Sequence, residues 1–277
     1  MRYVWKMGLE EKMGEWDSLH HAASKNELKP TLNRVVIPGD KAVIVPMGDP
    51  HIGSRYYDRE MHREIVSWCL ENNAYVIEMG DLVETATKDS VGAGVFEQEK
   101  ILQGQLEEAI ELLKPLAEKG LLLGMHPGNH EYRVFKHSGV DITKLMAKML
   151  DVKYLGWGKL HQIRVGKENY MLYSTHGASG AVMPHTKIKA ALRLADMVDA
   201  EIYCHAHLHQ LSHHVKNFYR ADLKNKTVVE AQKHFLLTGS FLNHWGSYAH
   251  MKAYEPMRKG SPKIKLSGIK HQIRVTL

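Results

Sequence analysis

Apolar positions recur along the chain in two rhythms. Short unbroken runs, KAVIVPM at 41–47, AYVIEM at 74–79 and GLLLG at 120–124, read as strands buried on both faces, which have no polar side to show. Between them lie segments with helical spacing. Met61, Ile65 and Trp68 fall on one stripe, with Asp58 as N-cap and Asn72 and Asn73 at the close. Leu102, Leu106, Ala109, Leu113 and Leu116 form another, and Pro115 is expected to kink or end that helix. Further on, the pattern predicts a short helix at 141–150, a hairpin at 161–177 ending in a loop, a helix at 185–198, strands at 200–209 and 233–243, and an edge strand at 263–277.

Residues 1–35 are polar and helical in character, with a proline stop at Pro30, and are expected to form an N-terminal arm ahead of a main domain over 36–277. The stretch ETATKDSVGAGVFEQ at 84–98 is polar and glycine-containing, so it is expected to be a long loop and a candidate substrate lid. HQIRV occurs at 161–165 and at 271–275, but one five-residue match does not make a repeat architecture. Strand, helix, strand, helix and then strand-rich sequence predicts a mixed α/β layered fold.

Composition narrows the class. A chain of 277 residues with 44% hydrophobic content can bury a sizeable core. No run approaches a membrane span, and the charged N-terminus does not resemble a signal peptide, so a cytoplasmic protein without membrane contact is expected. Cys69 and Cys204, too few for a disulfide framework, are expected to be reduced core residues. Residues 204–277 carry 12 Lys and Arg against 3 Asp and Glu, a basic segment that suits a polyanionic partner as well as it suits a solvated face.

The 19 histidines matter through their positions. GDPHIG at 48–53 closes the first strand with Asp49 and His51. MGDLVE at 79–84 brings Asp81, PGNHE at 127–131 brings Asn129, His130 and Glu131, STHG at 174–177 brings His176, and CHAHLH at 204–209 brings His205 and His207. Five strand ends thus finish in carboxylate, amide or imidazole groups, where ligands of α/β folds collect. Oxygen and imidazole donors without thiolate suit Mn, Fe, Zn, Ni or Co. Seven donors exceed one tetrahedral site and match two divalent ions sharing a carboxylate.

The ordered set D-x-H, G-D, G-N-H-[D/E], H-G and H-x-H, covering about residues 43–209, resembles the calcineurin-like metallophosphoesterase superfamily. The resemblance implies a four-layer αββα sandwich of two mixed sheets flanked by helices, making 36–277 the phosphoesterase domain with a basic, strand-rich C-terminal segment. It implies two divalent metal ions, manganese foremost, bridged by a hydroxide. Asp49, His51 and His207 would hold one, Asn129, His176 and His205 the other, and Asp81 would bridge them. His130 matches the histidine that stands beside the scissile phosphate and protonates or stabilises the leaving oxygen.

Two departures stand out: Glu131 replaces the commoner aspartate and is expected to support its loop, and Cys204 replaces a glycine. His126, His161 and the remaining histidines read as ordinary polar residues. His209 stays open, because it continues the alternation of 205 and 207. Arg55 and Arg133 are candidates to meet phosphates, and Tyr56 and Tyr132 to stack on a base.

The text GDLVETATK lacks the arginine with which the Ser/Thr phosphatase branch grips a dianionic monoester. That absence, with the basic C-terminal quarter, favours a phosphodiesterase or nuclease nearest in character to the Mre11/SbcD branch, with nucleic acid, DNA ahead of RNA, as the partner. A phosphomonoesterase acting on a small molecule or phosphoprotein is the alternative, and a scaffold that has lost catalysis is a third class. Homodimerisation and service as an accessory subunit stay open.

Overall fold

A computed structural model of the protein describes residues 31–87, 90 and 94–277. Among these the chain forms β1 (Leu32–Ile37), β2 (Lys41–Met47), α1 (Arg59–Glu71), β3 (Tyr75–Glu78), a 3-10 turn (Gly94–Glu97), α2 (Leu102–Glu118) and β4 (Leu122–Met125). It continues through α3 (Asn129–Ser138), α4 (Ile142–Met149), β5 (Gly158–Val165), β6 (Glu168–Thr175), α5 (Pro184–Leu192), α6 (Leu194–Met197) and β7 (Ile202–His205). The last elements are β8 (Leu211–Asp222), β9 (Thr227–Thr238), α7 (Tyr248–Met251), β10 (Lys263–Ser267) and β11 (Ile273–Thr276).

The strands assemble into two mixed sheets. One has the order β11-β10-β2-β3-β4, with β2, β3 and β4 parallel and β10 and β11 antiparallel. The other has the order β1-β5-β6-β7-β9-β8, with β6, β7 and β9 parallel and the β5–β6 and β8–β9 hairpins antiparallel.

The two-residue period of a strand then sorts the side chains into layers. Val45 and Met47 of β2 face a core made with Val66 and Cys69 of α1, Leu113 and Leu116 of α2, and Met146 of α4. Ala42 and Ile44 point the other way, into a core shared with Ile163 of β5, Leu172 of β6, Cys204 of β7 and Leu236 of β9. Tyr203, Phe235 and Leu237 alternate out of that middle core and pack on Ala191 of α5. The result is the helix–sheet–sheet–helix sandwich expected, with Cys69 and Cys204 free and buried in two different cores. Full burial of a leucine such as Leu113 or Leu116 stabilises by about 1.5–3 kcal/mol each.

Several elements differ from expectation. α2 does not end at Pro115 but runs on to Glu118. Pro115 and Glu111 both lie on its exposed side, so the carbonyl that the missing N–H leaves without a partner is on the wet face. Asn129–Ser138, where the pattern predicted no helix, forms α3, whose capping is polar: Glu131 accepts the Gly128 N–H at 2.8 Å, and Gly139 closes the helix at φ 71°. β8 was not foreseen either, since LSHHVKNFYRAD lacks an apolar alternation. The expected N-terminal helical arm lies outside the described residues up to position 30, and positions 32–35 belong to β1.

Candidate metal centre

β2, β3 and β4 are parallel, as are β6, β7 and β9, so their carboxyl ends, where the polar motifs sit, lie on one side of each sheet. The loops there are bent hard. Asp49, His51, Asp81, His207 and His209 all have φ between 51° and 66°, a left-handed conformation that costs a non-glycine residue on the order of 1 kcal/mol. Backbone bonds hold the bends: the Asp49 N–H donates to the Gly80 carbonyl at 3.0 Å, and the His51 N–H to the Asp81 carbonyl at 3.0 Å. Gly128 permits the closest approach, because a Cβ there would lie 2.1 Å from both the amide nitrogen and Oδ1 of Asp81. The His130 N–H donates to that same Oδ1 at 2.8 Å.

Three groups of donors converge, one of them made by His51, Glu84 and His130. Asp49, His51, Asp81 and His209 offer atoms within 4.8 Å of one another, and so do Asp81, His176 and His207. Asp81 belongs to both of these. Asn129 joins the second of them, its Oδ1 lying 3.0 Å from His176 Nε2 and 2.7 Å from His207 Nδ1.

The directions of the lone pairs matter more than proximity. His176 Nδ1 lies 2.9 Å from the Met79 carbonyl, which can only accept, so the proton sits on Nδ1. Its Nε2 therefore points a lone pair at Asn129 Oδ1 and, at 3.4 Å, at Asp81 Oδ2. His51 repeats the pattern: Nδ1–H donates to Glu84 Oε2 at 3.0 Å, while Nε2 meets His209 Nε2 at 3.1 Å. A nitrogen lone pair facing oxygen acceptors, as at His176, is reconciled by a proton or by a cation, whereas between His51 and His209 either ring can donate. Burial penalises the His176 imidazolium, yet the charge and hydrogen bond of Asp81 hold its pKa up at about 10. Burial likewise opposes charge on His51, and the Glu84 hydrogen bond with the charges of Glu84, Asp81 and Asp49 raises it to about 9. These are all hard or borderline donors, a set that suits first-row divalent ions and fits a metal at each of the two groups that share Asp81.

The H-x-H pair differs in register from the sequence expectation. The structure brings together His207 and His209, not His205 and His207. β7 ends at His205, whose ring lies beside Gly177, with Nε2 2.3 Å from where a Cβ on that glycine would stand, and whose Nδ1 donates to the Ala206 carbonyl at 2.7 Å. Only beyond the strand do the left-handed bends turn alternate rings into the cluster. His207 accordingly groups with Asp81, His176 and Asn129, and His209 takes the place beside Asp49 and His51, with Nε2 3.3 Å from Asp49 Oδ1. The Asp49 carboxylate also accepts the His207 N–H at 2.9 Å, which ties the loops together.

His130 stands at the edge of the cluster, its ring centroid 4.4 Å from that of His51. Its Nδ1–H donates to the Glu84 carbonyl at 2.7 Å, leaving Nε2 to accept from Arg133 Nη2 at 2.9 Å. Glu131 supports its loop as expected: its carboxylate accepts the N–H groups of Asp81, Val83 and Gly128 at 2.8–3.1 Å. Burial and the nearby Asp81 charge push its pKa up to about 7. Glu84, read in the sequence only as a departure from the phosphatase pattern, proves to be the group that orients His51.

The remaining expected contacts fall apart into two pairs. Arg133 reaches His130, whereas Tyr132 stacks on Phe135 at 5.6 Å and meets Trp157 edge-on at 5.1 Å. Arg55 is exposed, 6.0 Å from the Tyr56 ring, and Tyr56 donates its hydroxyl to the Gly246 carbonyl at 2.7 Å. The 84–98 loop lies partly outside the described residues. Its described part is tied at Thr85 to Gln105, at Ala86 to Gln98 and at Ser90 to Arg133.

No protein-family model and no curated protein matches the chain. Among solved structures it is similar to a conserved uncharacterized protein from Streptococcus pneumoniae described as a predicted phosphoesterase, at 13% identity over 86% of this chain and 90% of that one, with a TM-score of 0.38. It is similar to Vps29 from Entamoeba histolytica complexed with zinc, at 14% identity, 84% and 97% coverage and a TM-score of 0.35. A metallophosphoesterase from Sphaerobacter thermophilus gives 12% identity, 84% and 86% coverage and a TM-score of 0.37. Likeness at this level decides nothing about chemistry. Among the described residues no helix is long and apolar enough to cross a membrane.

Proposed function

We propose that the chain is a calcineurin-like, metal-dependent phosphoesterase that hydrolyses phosphodiesters, with nucleic acid as the natural substrate class and DNA ahead of RNA. The observation that carries the reading is the sharing of Asp81 between two converging donor groups. Asp49, His51, Asp81 and His209 would hold one divalent ion, and Asp81, Asn129, His176 and His207 the other, with manganese the first to try. When bound, such a pair supplies Lewis acidity toward a phosphoryl oxygen and an activated water.

The chain's own residues do the rest. Glu84 orients the His51 ring through Nδ1, and Met79 does the same for His176. With its Nδ1–H committed to the Glu84 carbonyl and burial lowering its pKa to about 4, His130 is neutral; its Nε2, which accepts from Arg133, is the atom that would take up and pass a proton to a leaving oxygen. Arg133, bonded to that Nε2, is placed to grip a non-bridging oxygen of the same phosphate.

Arg133 also supports a second reading. A guanidinium beside His130 would compensate the extra charge of a monoester and take over from the arginine missing after GDLVE. Rates on bis-nitrophenyl phosphate and nitrophenyl phosphate with added manganese separate the two readings. Faster turnover of the bis-ester is expected. Faster turnover of the monoester would replace the first reading with the second, and metal-independent or absent turnover of both would sink each of them.

A further inference from the structure

The β8–β9 hairpin is much longer than the sheet that carries it. β7 pairs with β9 only from His234 to Leu237, but the β8–β9 ladder continues from Lys216↔Lys233 out to Asp222↔Thr227. The outer part is a two-stranded ribbon about 20 Å long at ~3.4 Å per residue, and among the described residues no further strand pairs with either of its edges. Because β9 runs parallel to β7, whose carboxyl end leads into the metal centre, the ribbon tip lies at the opposite end of these strands.

Its chemistry is uneven. Residues 215–233 contain five cations, Lys216, Arg220, Lys224, Lys226 and Lys233, against Asp222 and Glu230. Asp222 is engaged in the turn, accepting from the N–H groups of Lys224 and Asn225. Lys233 pairs with Asp199 at 2.8 Å, and among the described residues no ion pair engages the other four cations. Lys216, Phe218 and Arg220 alternate onto one face of β8, with the Lys233 ammonium 5.7 Å from the Phe218 ring. Tyr219, 81% exposed, projects from the other face.

We propose that this ribbon is an arm that binds duplex DNA, gripping phosphates through Lys216, Arg220, Lys224 and Lys226. A two-stranded β-ribbon fits the major groove, and an open pair of strands rich in cations and poor in free carboxylate favours a polyanion over a second copy of the chain. The proposal extends the phosphodiester reading to a polymer, yet does not depend on turnover. From Leu211 beside the metal centre to Asp222 at the tip, the strand spans about 37 Å, on the order of eleven base pairs. The arm is therefore an anchor for long substrates and has no part in cleaving small esters.

The test is fluorescence anisotropy with a labelled 20-base-pair duplex (a length above the ~11 base pairs just estimated) and the full chain. Wild type is compared with a variant carrying Lys216→Gln, Arg220→Gln, Lys224→Gln and Lys226→Gln, and with a second carrying Glu at the same positions. The Gln variant is expected to bind at least about tenfold more weakly, and its slope of log affinity against log salt to flatten by up to about 3.6, while bis-nitrophenyl phosphate turnover stays at the wild-type rate. Wild-type failure to bind at low salt would overturn the proposal, as would a variant that binds normally. A variant that self-associates but still binds the duplex would show that the cations only guard an open edge, which also overturns it. Duplex binding through the arm in a chain inactive on both esters would sink the hydrolase reading and leave the arm standing.

Discussion

Two sets of buried histidines in this protein look alike by burial and differ in how their nitrogens are partnered. In the strand-end cluster, His51 and His176 direct Nε2 at other would-be ligands, His209 Nε2 and Asn129 Oδ1. Between the sheets, every ring nitrogen of the second set meets a complement. Asn33 Nδ2 donates to His161 Nδ1 at 3.0 Å, His161 Nε2–H donates to Ser174 Oγ at 2.7 Å, Ser174 donates on to His126 Nε2 at 2.7 Å, and His126 Nδ1–H donates to the Gly156 carbonyl at 2.6 Å. The chain closes with neutral rings and no ion. Burial drives His161 down to about 3 and His126 to about 4, while the carboxylates of the cluster raise His51 and His176 in spite of burial. What marks a ligand here is the direction of its lone pair, more than its depth.

The contrast is sharpest at Asp81, where burial opposes the charge but three flanking histidines, His130, His176 and His51, outweigh it and hold the pKa well below the ordinary carboxylate range. Asp81→Asn removes the charge common to both donor groups. Turnover of bis-nitrophenyl phosphate should fall by about a thousandfold or more, and calorimetric manganese titration should show at least one site lost. Retention of both would end the shared-carboxylate account.

A smaller effect separates neighbours in one motif. His209→Ala should weaken metal binding on the order of 10–100-fold, the range that even outer-shell changes reach, whereas His205→Ala should leave metal affinity within a factor of a few and show only as a lower melting temperature. The reverse result would restore the register expected from the sequence.

That register also shows where sequence reading stops. The strand ends are legible because each apolar run breaks into a carboxylate or imidazole beside a glycine, and the order of those breaks is specific. CHAHLH is not, because three histidines alternate and the pattern cannot say where the strand ends; the structure ends it at His205, and the positive φ values of His207 and His209 do the aiming. α3 is illegible for another reason. Its stability comes from Glu131 reaching back to backbone N–H groups and not from an apolar stripe, for which only Val134 packs on the core. β8 escapes because, among the described residues, its outer half joins no core cluster, so no alternation is imposed on it.

Within the satisfied chain, Ser174→Ala removes the hydroxyl that two rings share. Each orphaned ring nitrogen costs on the order of 1–3 kcal/mol, so the urea midpoint should drop, with turnover of small esters changed only a few-fold. A large loss of turnover without loss of stability would mean that the chain serves the chemistry and the two sets are not separate.

The smallest expected effect is in the pH dependence of stability. An unfolded histidine takes up a proton near pH 6.5, but burial holds His161, and likewise His62 with its Tyr57 and Met47 partners, at about 3. Below pH 6.5 the unfolded chain therefore binds more protons than the folded one, and stability falls progressively as pH drops toward 3. At pH 5 the loss is about 2 kcal/mol for each such histidine. In metal-free protein the raised pKa values of His51 and His176 act in the opposite direction: their contribution is fully present below pH 6.5 and is lost as pH rises through about 9 to 10. Urea titrations at pH 7 and pH 5 on wild type and His161→Gln isolate one member of the satisfied set. The variant keeps a polar group toward Ser174 but cannot titrate, so its decline between the two pH values should be shallower by about 2 kcal/mol. Equal declines would mean that His161 takes up its proton over the same pH range in the folded protein as in the unfolded chain, and the division of the buried histidines into two kinds would fail at its quieter end.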